Sequence, residues 1–192
     1  MRLQNEPARR RAPIAALAAA LAPLVLAACA SPPALDWPPA LAPAPGETWL
    51  MTAPARGVQI YECRSTASGA AWAFVAPEAD LFDSAGRPIG THGAGPFWQA
   101  RDGSRLEGRP AARAEAPAAG AIPWLLLNTN DAGPAGRFSG VTRIRRIHTV
   151  GGVAPSSGCN ADTLGATARV PYTADYLLYT SLPERATAQA RP

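Results

Sequence analysis

Residues Gly86 to Gly108 read G-R-P-I-G-T-H-G-A-G-P-F-W-Q-A-R-D-G-S-R-L-E-G, with six glycines, one histidine and one tryptophan. Asp102-Gly103 stands between two short segments, Pro96 to Arg101 and Ser104 to Glu107. Asp-Gly tolerates the positive φ that tight hairpins demand, so this is a strong hairpin signal. Just upstream, Asp83-Ser84-Ala85-Gly86 separates Asp80-Leu81-Phe82 from Pro88 to His92. A type I turn ending in a left-handed glycine fits that link. Two successive hairpins make this the organising stretch of an antiparallel sheet.

Working outward, the same period recurs. Gly57 to Arg64 alternates Val58 and Ile60 with Gln59, Tyr61 and Cys63, as a half-buried strand requires. Thr48 to Met51, Ala71 to Ala76 and Val170 to Tyr179 also read as strands, the last placing Tyr172, Ala174, Tyr176 and Leu178 on one face. Ile122 to Asn128 is a continuous apolar run and reads as a buried strand, with Trp124 in the core together with Trp72. In Phe138 to Val150, Ile144 and Ile147 fall on opposite parities, so alternation breaks; a bulge near Arg145-Arg146 would restore it. Arg143, Arg145 and Arg146 read as a solvated strand face, with contact to an anionic lipid or glycan as the alternative. Arg109 to Gly120 is rich in Ala and Pro and reads as a loop across one end of the sheet; Gly151 to Gly165 is a second long loop. Eight to nine short strands without a long helix predict an all-β, single-domain antiparallel sandwich or barrel over residues 47–182, with a polar tail at 183–192. Alternation alone leaves sandwich and barrel both open.

The N-terminus is of another kind. Arg9-Arg10-Arg11 precede an apolar run from Ile14 to Leu26, and Leu26-Ala27-Ala28-Cys29 follows. This order resembles the signal peptide and lipobox of bacterial lipoproteins: residues 1–28 are removed and Cys29 carries the lipid. Several acyl chains on one residue suffice for stable anchoring. Ala30, rather than Asp, after the cysteine implies the outer membrane, facing the periplasm. Residues 29–46 hold six prolines after the cysteine and read as an extended tether, reaching roughly 50 Å at about 3.1 Å per residue. Trp37 within it reads as a packing contact.

Of 192 residues, 18 are basic and all of these are arginine. Removing the four arginines and one acid ahead of Cys29 leaves 14 arginines against 13 acids. The basic character therefore belongs to the targeting signal, and a nucleic-acid surface loses its support. Of three cysteines, Cys29 is taken by the lipid, so Cys63 and Cys159 form an even pair in an exported protein. A disulfide between them would stabilise by up to ~4.7 kcal/mol, the chain-entropy value for a loop near this length.

The chemistry-bearing residues are few. His92 and His148 are the only histidines, with no His-x-His or His-x-x-x-His spacing and no Cys cluster, so no metal and no cofactor is expected. His92, Ser104 and an Asp would be the material of a hydrolase, but Ser104 follows Asp-Gly as ordinary turn chemistry, and no nucleophile elbow is present. His92, Trp98 and Arg101 among Gly93, Gly95 and Gly103 form the better set: an aromatic face beside polar groups suits a sugar, a peptide or a small ligand. The expectation is a non-catalytic, lipid-anchored envelope protein that meets an envelope protein, a glycan or a small ligand through this face. The alternative is a small periplasmic hydrolase or metal-assisted enzyme using His92.

Several blocks in fixed order, G-V-Q-I-Y-E-C, W-A-F-V-A-P-E-A-D-L-F-D, G-T-H-G-A-G-P-F-W, I-P-W-L-L-L, V-T-R-I-R-R-I-H-T-V-G-G-V-A-P and V-P-Y-T-A-D-Y, resemble the domain-of-unknown-function family 3455 of exported bacterial and fungal proteins. The resemblance covers roughly Gly57 to Tyr179 and implies the β architecture without a mechanism. This chain departs from the family pattern at Phe97, where a small hydroxyl residue is usual.

Overall fold

The structure is a computed structural model that describes residues 36–181. The signal segment, Cys29, the first residues of the tether and the polar tail lie outside the described residues.

Eight strands follow one another: β1 (Glu47–Thr66), β2 (Gly69–Phe82), β3 (Pro88–Gly93), β4 (Phe97–Ala100), β5 (Arg105–Ala114), β6 (Trp124–Asp131), β7 (Arg143–Gly151) and β8 (Thr167–Ser181). Each pairs antiparallel with the next, and β8 closes on β1, so the sheet is an up-and-down barrel. Closure removes the free edges that a sandwich would leave. Both hairpins of the central stretch form. Gly86 and Gly103 hold φ of 75° and 89°, which is why glycine closes each turn.

The strands are longer than alternation predicts. Thr48 to Met51 and Gly57 to Arg64 are parts of one 20-residue strand that runs through Pro54. The segment from Arg109 onward, expected as a loop, continues β5 to Ala114, with a register shift between Pro110 and Ala112. Proline survives here because it sits where a strand has one neighbour. Pro54 pairs with Asp175 of β8, while β1 meets β2 only from Ala55 onward. Pro77 pairs with Gln59 of β1, before β2 meets β3 at Ala79. Pro110 pairs with Leu127 of β6, beyond the last β4–β5 partner, Glu107. A missing N–H costs nothing on an unpaired side. The short strands β3 and β4, of six and four residues, thus leave a notch in the wall, with Pro77 on one side and Pro110 on the other.

The interior is filled by one parity of each strand, including Leu81, Trp98, Leu106, Leu127, Ile144 and Tyr176. A second apolar cluster lies on the outer face: Leu41, Trp124, Ile147, Leu177 and Tyr179, with Trp37 and Trp49 against them. The chain ahead of β1 supplies its cover. Residues 36–46, expected as free tether, lie on the barrel with one turn of 3-10 helix at Pro39–Leu41. This explains the broken alternation in β7. Ile144 is buried inside and Ile147 outside, because both faces of the strand are covered. The register shift falls after Ile147, at His148 and Thr149, rather than at Arg145-Arg146. His148 takes φ of 49° there.

Arg145 is fully buried on the outer face, not solvated. Its Nε donates to Leu41 O at 2.6 Å, and its Nη2 to Ala42 O at 3.1 Å and Glu47 Oε2 at 2.5 Å. Trp72 is half-buried rather than core; its Nε1 donates to Ser157 O at 2.9 Å, on the loop that carries Cys159. Cys63 and Cys159 form the expected disulfide, Cα atoms 5.3 Å apart.

Candidate functional site

The notch opens into a cavity of about 250 Å³. His92 from β3, Trp98 from β4, Arg146 from β7 and Tyr176 from β8 supply its polar side chains, and Phe74 and Leu125 much of the rest. The fold places them by parity. Leu125 pairs with Arg146, Arg146 with Tyr176, and His92 with Trp98, and directly paired residues project from the same face of a sheet. Phe74, opposite Tyr61, stands on the rim and is 53% exposed.

His92 is 4% exposed. Its Nδ1 lies 2.7 Å from Phe97 O. A carbonyl only accepts, so Nδ1 carries the hydrogen and the neutral ring keeps Nε2 as an acceptor. Burial pushes the imidazole down to about 4; the bond to Phe97 opposes the shift and the charge of Arg146 adds to it. At neutral pH the ring is uncharged. It stacks on Trp98 at 4.6 Å between centroids and meets Tyr176 at 4.9 Å. Trp98 can lie flat because its neighbour on β5 is Gly108, where a Cβ would meet the indole Cζ3 at 2.7 Å.

Arg146 is half-buried. Its Nε and Nη2 donate to Pro123 O at 3.2 and 2.7 Å. Burial raises the phenol of Tyr176, and the Arg146 charge works against that rise. Tyr172 shows the same direction from the same leading cause. The two hydroxyls lie 3.3 Å apart.

The residues singled out by sequence divide into those at the cavity and those elsewhere. His92 and Trp98 meet at the cavity wall, and Gly95 joins them in the β3–β4 turn. Arg101 is exposed in the β4–β5 turn, at the opposite end of β4 from His92. Ser104 is buried at that same far end. Its Oγ donates to Asp102 Oδ1 at 2.7 Å and accepts from Phe138 N at 3.1 Å. Asp102 also accepts from Arg137 N at 2.7 Å, so this trio clasps the β4–β5 turn to the β6–β7 loop. The Ser104 hydroxyl leads the bonds that hold the Asp102 carboxyl below its usual range. No carboxylate or hydroxyl of Asp or Ser bonds to His92 among the described residues. His148 pairs with Asp175 at 2.9 Å on the surface. Among the described residues, no three His, Cys, Asp or Glu side chains cluster as metal ligands.

Of the site residues, sequence reading passed over Tyr176 and Phe74 and placed Arg146 on a solvated strand face. The signal for two of them was parity. Tyr176 shares a face with Tyr172 and Leu178, and Arg146 shares one with the buried Ile144.

No curated protein and no solved structure matches the chain. A match over residues 43–180, from just ahead of β1 almost to the end of β8, shows the family: the chain belongs to the family described as "Protein of unknown function (DUF3455)".

Proposed function

We propose that the chain is a lipid-anchored envelope protein whose barrel binds one small molecule without transforming it. The observation that carries this reading is the cavity in the notch, whose walls are mostly apolar and whose few polar groups converge from four strands. A small-molecule site is expected to look this way: concave, largely apolar, with a few placed polar atoms. His92 favours binding over hydrolysis. Burial pushes its imidazole down to about 4, which makes it a weak base, and it is held by a backbone carbonyl rather than by a carboxylate that would orient it. The arginine-rich start, the apolar run and Leu26-Ala27-Ala28-Cys29 support the anchor, at the outer membrane facing the periplasm.

Two experiments test the reading. The mature protein, titrated with the neutral fluorophore N-phenyl-1-naphthylamine, is expected to bind it saturably at one site. Leu125→Trp, which fills the cavity, is expected to weaken that binding at least about 10-fold. No saturable binding by the wild type, or unchanged binding in the filled variant, would sink the binding reading. Separately, Cys29→Ala is expected to move the protein from the membrane to the soluble envelope fraction; unchanged fractionation would refute the anchor.

A further inference from the structure

We propose that the cavity selects a small organic monoanion, its apolar or aromatic body against Phe74 and Leu125 and its acid group on the guanidinium of Arg146. This rests on the binding reading above and names the ligand class of that site.

Two adjacent arginines lie on opposite faces of β7. Arg145, on the outer face, has its charge answered: Glu47 pairs with it at 2.5 Å, and two backbone carbonyls accept from it. Arg146, on the inner face, has no carboxylate within ion-pair distance among the described residues; its bonded partner is the carbonyl of Pro123. A carbonyl satisfies N–H groups and leaves the net charge in place. A partly buried, unneutralised guanidinium is costly, and an anion that replaces lost water recovers that cost.

The rest of the wall fits one negative charge. Among the described residues no Asp or Glu lines the cavity, so none of them repels an anion there. His92 is neutral at working pH, so the site offers one positive charge and not two. Two further donors lie in the same wall. Tyr176 carries a hydroxyl beside Tyr172, and the Trp98 Nε1–H is buried without an acceptor among the described residues. The accessible apolar surface comes from the rim, where Phe74 and Val75 are 53% and 44% exposed, and from Leu125 and Pro110. One charge beside apolar and ring surface describes an amphipathic acid. Guanidinium meets carboxylate, sulfonate and phosphate diester with the same fork geometry, so the single negative charge is the shared feature.

The test uses two probes with one skeleton: 1-anilinonaphthalene-8-sulfonate and its neutral counterpart, N-phenyl-1-naphthylamine. The mature wild-type protein is expected to bind the sulfonate about 10-fold or more tighter. Arg146→Gln is expected to abolish that difference while keeping affinity for the neutral probe within about threefold. Arg146→Lys should retain part of the preference. Arg143→Gln, on the outer face, should leave it intact. Equal affinity for the two probes in the wild type, or a preference that survives Arg146→Gln, would overturn the anion proposal and leave the cavity reading standing. Binding of neither probe would overturn both. The wild-type ratio needs no variant, so a misfolded Arg146→Gln would not protect the proposal.

Discussion

At the scale of the residue, His92 shows how burial turns a reactive side chain into a structural one. Its ring is enclosed by Trp98 on β4, Tyr176 on β8 and the Phe97 carbonyl, and it feels the charge of Arg146 on β7. The folded protein therefore holds the imidazole neutral down to about 4, against an ordinary value of 6.5. The unfolded chain binds a proton below 6.5 that the folded chain refuses. The stabilisation is complete above about 6.5, is lost as pH falls through that window, and levels off below about 4. At ~1.36 kcal/mol per unit the loss is on the order of 3 kcal/mol. The carboxylates whose values are lowered, Glu78, Asp83 and Asp102, act from the acid end of this window downward and contribute equally to wild type and variant. Urea unfolding at pH 7.5, 6, 5 and 4.5 should show this slope in the wild type, and His92→Phe should flatten it. An equal slope in both proteins would mean that His92 is hydrated and free to protonate. The lost bond to Phe97 lowers the variant's stability at every pH and does not alter the slope.

At the scale of the element, β7 marks where sequence reading succeeds and where it stops. Alternation identifies strands with one face in water, and Gly57 to Arg64 and the first half of Val170 to Tyr179 were legible for that reason. In β7 both faces are covered, so Ile144 and Ile147 lie on opposite parities with no bulge between them. The outer cover comes from Trp37 and Leu41, within a Pro-rich stretch whose composition announces a linker. Proline excludes helix and paired strand, but it does not exclude packing. The turns were legible because glycine has local reasons to be there. The cavity was not, since Arg146 and Tyr176 meet His92 only through strand order. Arg145 is the fastener of the outer layer, bonded to Leu41, Ala42 and Glu47 and lying 4.4 Å from the Tyr179 ring centroid. Arg145→Met leaves the Glu47 carboxylate, which is 7% exposed, with Arg143 Nε at 3.7 Å as its remaining ion-pair partner, at an expected cost of about 3 kcal/mol. Pairing it with Glu47→Gln should recover part of that loss. A double-mutant cycle by chemical denaturation measures the coupling, expected within roughly 1–3 kcal/mol. Additive effects would show that the pair is solvated and that the outer layer does not depend on it.

At the scale of the molecule, sandwich and barrel differ in a single event, whether the last strand returns to the first. That pairing is the most distant in the chain, so no local pattern carries it. It is also extensive: β8 follows β1 from Glu47–Ser181 to Glu62–Thr167. The disulfide stands at the far end of this seam. Cys63 is on β1 just past Glu62, and Cys159 is in the connection that leads from β7 into β8. Cys63 N donates to Ala166 O, and Gly165 N donates to Cys63 O, so backbone bonds continue the seam beside the bridge. The bridge thus holds the closing strand's entry against β1, and its closed loop spans a separation of 96 residues. In the chain-entropy account such a loop stabilises by about 4–5 kcal/mol through the unfolded state. The interior packing and the seam hydrogen bonds are independent of it. Cys63→Ala/Cys159→Ala is therefore expected to fold to the same barrel, with a midpoint of thermal unfolding lower by on the order of 10 °C. Its affinity for N-phenyl-1-naphthylamine should stay within about twofold, because neither cysteine lines the cavity. Thiol labelling of the unfolded wild type should find neither residue until reductant is added. Free thiols before reduction, or an unshifted midpoint in the double variant, would remove the bridge from the account of how the barrel is closed. A lost cavity affinity with the barrel intact would instead show that the seam and the notch move together.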